Sequence, residues 1–197
     1  MLLFLSIFIV GCSKNSNKSV IKNIKSIFDK SDGYYLKGNL SIFKNEDNYN
    51  YEVDVYFKKD DYYKVILTNK YNDHTQIILK NDEGVYVLTP ALNKSFKFQS
   101  DWPNDNSQIY LLDALIKKYD VDVMTVTPVQ IIELIDNDKE YLFTNVEDKY
   151  EFITKVNYPN NSKFVKQKII FDKKYKLKSV DVYDSDDINV MKFEVNK

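Results

Sequence analysis

The sequence contains no arginine, a single cysteine, a single histidine and a single tryptophan, and only four glycines and four prolines. Each shortage removes something. All 28 basic residues are lysines and the formal net charge is -1, so the planar guanidinium fork that reads phosphates and base edges is missing, and nucleic acid is not expected as a partner. One cysteine forbids an internal disulfide, and with only one histidine beside it no metal site of the usual zinc type is expected. Scarce glycine leaves few left-handed turns. Long hydrophobic runs are lacking as well: residues 2–10, LLFLSIFIV, are too short to cross about 30 Å of hydrocarbon as a permanent helix.

What is present is a chain of 197 residues, 44% hydrophobic, with sixteen tyrosines and twelve phenylalanines. That length suits one domain with a sizeable core, and aromatic side chains suit a pleated, half-buried surface, so a mainly β (α+β) fold is expected.

The short apolar run reads as the core of an export signal. Directly after it, Ile9, Val10, Gly11 and Cys12 resemble the bacterial lipobox, in which small residues admit the signal peptidase once the cysteine carries lipid. The alternative is a buried element that happens to hold a free cysteine, and the placement right behind the apolar run argues against it. A basic stretch usually precedes such a run, whereas here only Met1 does, and whether the true start lies upstream stays open. The expected organisation is a signal peptide over residues 1–11, a lipidated flexible tether over 12–18 and a single domain over 19–197. Cys12 would carry a diacylglycerol, with or without an N-acyl chain, and more than one chain is what makes membrane anchoring stable. No other cofactor is expected.

Ser19 is expected to cap a helix running to about Lys30, with Val20, Ile24, Ile27 and Phe28 on one stripe. Period-two alternation then marks strands over residues 34–44, 51–58, 62–69, 74–80, 85–89 and 94–98, and again over 141–146, 150–156, 165–172, 177–183 and 190–195. A hairpin is expected at residues 81–84, NDEG. Between the two runs of strands, Ser107 opens a second amphipathic helix to about Lys118, and Thr127 with Pro128 opens a third to Asp136. Short connections favour an antiparallel meander over a βαβ arrangement.

Candidate chemistry is sparse. His74 lies at a strand entrance with no partner motif, so a turn or surface histidine is the better reading. Asp184, Asp186 and Asp187 crowd carboxylates as a calcium loop does, yet the glycine and distal glutamate of an EF-hand are absent, which favours a solvated hairpin turn. The tyrosines between Tyr49 and Tyr63 suit either sugar stacking or cross-strand packing, and packing is the commoner role. Trp102 and Pro103 suit a lid or partner contact, or a plug at the mouth of the fold. No catalytic residue is assigned.

Several segments carry a resemblance. GYYLKG at residues 33–38, GVYVLTP at 84–90, FKFQSDWP at 96–103, SQIYLL at 107–112, VNYPNN at 156–161 and KIIFDK at 168–173 occur in the order found in germination lipoproteins of spore-forming bacteria. These resemble the lipoprotein-localisation (LolA and LolB) fold. The resemblance implies an incomplete antiparallel β-barrel of about eleven strands with helices covering its concave face. It also implies a non-catalytic, extracytoplasmic lipoprotein in the space between mother-cell and forespore membranes. Its partner would be a secreted N-acetylmuramoyl-L-alanine amidase that modifies cortex peptidoglycan. A lipid or lipopeptide carrier is the alternative, and whether a homodimer or strand exchange occurs stays open.

Overall fold

The computed structural model describes residues 16–44, 46–59, 62–97, 135, 138, 140–155 and 164–197. Helix α1 (Asn17–Asp29) comes first. Its cap is Ser16 rather than Ser19: the Ser16 side chain accepts the Ser19 N–H at 3.3 Å, and the Ser19 hydroxyl donates back to the Ser16 carbonyl at 2.8 Å. Two serines three apart both suit a cap, and the earlier one wins because it satisfies an orphan donor of the first turn. The helix therefore occupies the last residues of the expected tether. Val20, Ile21 and Ile24 form its buried stripe, whereas Ile27, expected on that stripe, is 45% exposed.

Strands β1 (Gly33–Lys44), β2 (Asp47–Lys58), β3 (Tyr62–Asn69), β4 (Thr75–Asn81), β5 (Gly84–Thr89) and β6 (Lys94–Lys97) follow as a meander. A short 3-10 turn, Pro90–Leu92, separates the last two. The second run is β7 (Leu142–Asn145), β8 (Lys149–Lys155), β9 (Phe164–Asp172), β10 (Leu177–Asp184) and β11 (Asn189–Val195). All eleven form a single antiparallel sheet in the order β6-β5-β4-β3-β2-β1-β11-β10-β9-β8-β7. Among the described residues the sheet is open, not closed into a barrel, and α1 is the one α-helix described in full. The expected second helix, and the third except for Ile135, lie outside the described residues; Ile135 is helical and buried.

The two meanders meet where β1 pairs with β11, from Gly38 opposite Val195 to Ile42 opposite Met191. Alternation then assigns the faces. Leu40, Ile42, Val53, Val55, Val65, Ile78, Phe152, Ile169, Phe171, Val180, Val182, Met191 and Phe193 are buried on the face that receives α1. Lys37, Glu52, Asp54, Tyr56, Lys168 and Lys192 occupy alternate positions and face outward. Gly84, at φ +135°, serves the expected hairpin between β4 and β5.

Candidate binding surfaces

The covered face holds an apolar core with one polar interruption. Thr154 and Gln167 are opposite each other in the β8–β9 register, 1% and 0% exposed, and among the described residues their side-chain polar atoms have no hydrogen-bond partner. Leaving such groups buried and unpaired costs about 1–3 kcal/mol each. Thr154 shares its buried face with Tyr150 and Phe152, as the alternation along β8 requires. The Gln167 signal was equally local: it lies two positions before Ile169 and four before Phe171 on the same face.

The outer face is a lattice of lysines, carboxylates and tyrosines. Tyr35 donates its hydroxyl to Asp54, which pushes the phenol from 10.0 up to about 12. Lys37 donates to Glu52 at 2.5 Å, a bond that raises the ammonium above its ordinary value. Across one rung, Lys168, Asp181 and Lys192 are register partners on β9, β10 and β11. Burial disfavours the charge on Lys168, but the neighbouring Tyr183 and Asp181 outweigh it and the net shift is upward. Asp181 itself is only 6% exposed between these cations. The aromatic rings divide by face as cross-strand packing requires: Tyr51 and Tyr63 belong to the core side, while Tyr35 and Tyr56 meet outside in a tilted contact with 4.8 Å between centroids.

Helix α1 presents Lys18, Lys22 and Lys25 at helical spacing along one face, where they and Tyr141 line a groove of about 620 Å³. The helix is tied to the rest by Asn23 Nδ2, which donates to the Tyr175 hydroxyl at 2.9 Å, and by an edge contact of Phe28 on Tyr34.

The sheet's two edges differ. On β6 the sequence KSFK places lysines at both ends, a common guard against pairing with another chain. On β7 the sequence LFTN carries no charge and no proline, and Leu142 is 64% exposed. Among the described residues β7 pairs with β8 alone.

Of the residues singled out from sequence, Cys12, Ile9, Val10, Gly11, Trp102 and Pro103 lie outside the described residues. His74 sits in the turn before β4, its backbone N–H donating to Asn72 Oδ1 at 3.0 Å and its carbonyl accepting from the Asn69 N–H. The Asp184–Asp187 stretch is the β10–β11 hairpin turn. Its Asp184 carboxylate accepts the N–H groups of Asp186 and Ile188, and Asp187 pairs with Lys166. Among the described residues no group of three or more His, Cys, Asp or Glu is arranged to hold a metal.

No family model matches the chain. It is 35% identical over 193 residues to the sporulation protein YdcC of Bacillus subtilis, a similarity covering 95% of this chain and 52% of YdcC. The chain thus spans about half the length of that relative. Among solved structures, the CwlD amidase of Clostridioides difficile in complex with the GerS lipoprotein supplies a match at TM-score 0.48 and 14% identity, covering 100% of this chain and 98% of the matched one. A LolA superfamily protein of Nitrosomonas europaea matches at TM-score 0.38 and 10% identity, over 87% of this chain and 73% of that one.

Proposed function

We propose that this chain, a homologue of a sporulation protein, is a membrane-anchored, non-catalytic binding protein that supports a cortex-modifying N-acetylmuramoyl-L-alanine amidase in the space between the two membranes of a sporulating cell. The similarity to YdcC along nearly the whole chain carries the sporulation part of the reading. The ordered motifs from residue 33 to residue 173 support the amidase as partner. Cys12 supports the anchor, and the lysine face of α1 begins a few residues beyond it, where cations favour an anionic membrane surface.

The surface best suited to the partner is the β7 edge. A strand added beside it would find backbone donors and acceptors with no charged guard, and Leu142 would supply an apolar contact. Mixing the purified chain with the amidase should give a stable complex and faster release of peptide stems from cortex peptidoglycan. Leu142→Lys should weaken that complex by about tenfold with unchanged thermal unfolding. No association, with no change in amidase activity, would refute the reading.

A second reading, a lipid or lipopeptide carrier, is favoured by one observation: on the α1-covered face Thr154 and Gln167 are buried and, among the described residues, unpartnered. Native mass spectrometry of protein purified from its host should then show a bound acyl ligand, and a ligand-free spectrum removes this reading.

A further inference from the structure

Where β2 begins and β3 ends, the turn formed by residues 70–74 closes a cup of about 510 Å³, within the range of about 300–1,000 Å³ typical of small-ligand sites. Its walls are unusual in composition: Asn48, Asn50, Asn69 and Asn72, with Tyr49 and Tyr71 beside them and one cation, Lys70.

Three of the four amides have their oxygens already engaged. Asn50 Oδ1 accepts from the Ser41 hydroxyl at 2.7 Å, Asn69 Oδ1 from the Tyr71 N–H at 2.8 Å, and Asn72 Oδ1 from the His74 N–H at 3.0 Å. Occupied oxygens fix the orientation of each amide and leave its Nδ2 as a pair of donors. None of these three Nδ2 groups donates to an acceptor among the described residues. The cup is therefore rich in donors.

The turn that carries it is held firmly. The Lys70 N–H donates to the Asn50 carbonyl and the Asp73 N–H to the Asn69 carbonyl, both at 2.9 Å, and Lys70 Nζ reaches Asn39 Oδ1 at 2.5 Å. Asp73 turns the chain at φ +55°. From this fixed base Tyr71 projects 97% exposed, an aromatic ring with almost nothing packed on it. A turn backbone ordered before binding spends little on ordering itself.

A ligand that fits must bring acceptors to the amides, an apolar ring face to Tyr71 and little net charge, since a single lysine stands where a phosphate site would gather several cations. We propose that this cup binds an N-acetylated glycan strand, one sugar ring lying on Tyr71 while acetamido carbonyls and hydroxyls accept from Asn50, Asn69 and Asn72. This rests on the extracytoplasmic placement argued above and deepens it, giving the protein its own hold on the polymer that the amidase acts on.

The test is calorimetric titration of the full chain with a hexamer of N-acetylglucosamine and, separately, a hexamer of glucose. Saturable binding of the acetylated hexamer, about tenfold weaker for the glucose hexamer and about tenfold weaker for Tyr71→Ala, is the expected result. Tyr71→Phe should bind as the unsubstituted chain does, because the ring face and not the hydroxyl is used. Absence of binding, equal affinity for the two hexamers, or indifference to Tyr71→Ala would each overturn the proposal. Because Tyr71 packs on almost nothing, failure to fold would not confuse the result. Association with the amidase is measured on the unsubstituted chain without glycan, so the two readings fail independently.

Discussion

The Tyr35 hydroxyl gives the outer face a measurable signature. Donation to the Asp54 carboxylate favours the protonated phenol, which is why its value rises from 10.0 to about 12. A folded value above the unfolded one stabilises the fold fully below pH 10, and that contribution is lost as pH rises through about 12. Carbon NMR of ring-labelled tyrosine should therefore show one phenol titrating near 12, and Tyr35→Phe should abolish that resonance and flatten the alkaline limb of the stability curve. A full set of tyrosines titrating at the ordinary value would contradict the bond. Gly38 makes a different kind of prediction. A Cβ there would lie 2.3 Å from the Glu194 carbonyl oxygen and 2.8 Å from the Phe193 ring, against backbone that cannot withdraw without breaking the β1–β11 ladder. Gly38→Ala should cost about 1–3 kcal/mol in urea unfolding, although alanine suits strands better than glycine elsewhere.

Among the elements, α1 contributes through its buried stripe far more than through its own propensity. Ile24 is fully buried, so Ile24→Ala should lose about 2–5 kcal/mol. Ser16→Ala removes a cap and should lose about 1 kcal/mol, while exposed Lys22→Ala should stay within about 0.5 kcal/mol of the starting chain, all by denaturant midpoint. The strands show why local patterns were readable. Tyr51, Val53, Val55 and Phe57 alternate with Glu52, Asp54 and Tyr56, and that period of two needs no knowledge of the partner strand. The helix start was misplaced by three residues because Ser16 and Ser19 offer the same chemistry, and only geometry chooses between them. The cup at Tyr71 was illegible for another reason. Its asparagines read as ordinary turn residues until the register sets Tyr51 opposite Asn69 and brings Asn48 and Asn50 to the turn at residues 70–74. Gln167 needed no such distant information, since the alternation of β9 alone assigns it to the core; a glutamine is simply not expected there.

At the scale of the whole molecule, the β1–β11 pairing decides whether the sheet behaves as one body. Six strands lie on one side of this seam in the sheet and five on the other, and neither meander pairs with the other anywhere else in the strand order. Two features join them. Backbone bonds continue past the strands, with the Lys37 N–H donating to the Lys197 carbonyl and the Asn196 N–H to the Lys37 carbonyl. Helix α1 lies across both halves, touching Tyr34 of β1 through Phe28 and Tyr175 of the β9–β10 turn through Asn23. If seam and helix together make one cooperative unit, amides of β3 and β9, on opposite sides, should open with the same free energy in native-state hydrogen exchange. Phe193, 3% exposed at the seam, provides the perturbation. Phe193→Ala should lower both values together by about 3–5 kcal/mol, a large share of the roughly 5–15 kcal/mol that holds a domain folded. Loss confined to β9 would instead mean that the second meander opens alone, with α1 staying on the first. That outcome would also move the β7 edge into the less stable half, where a partner strand could trap it open.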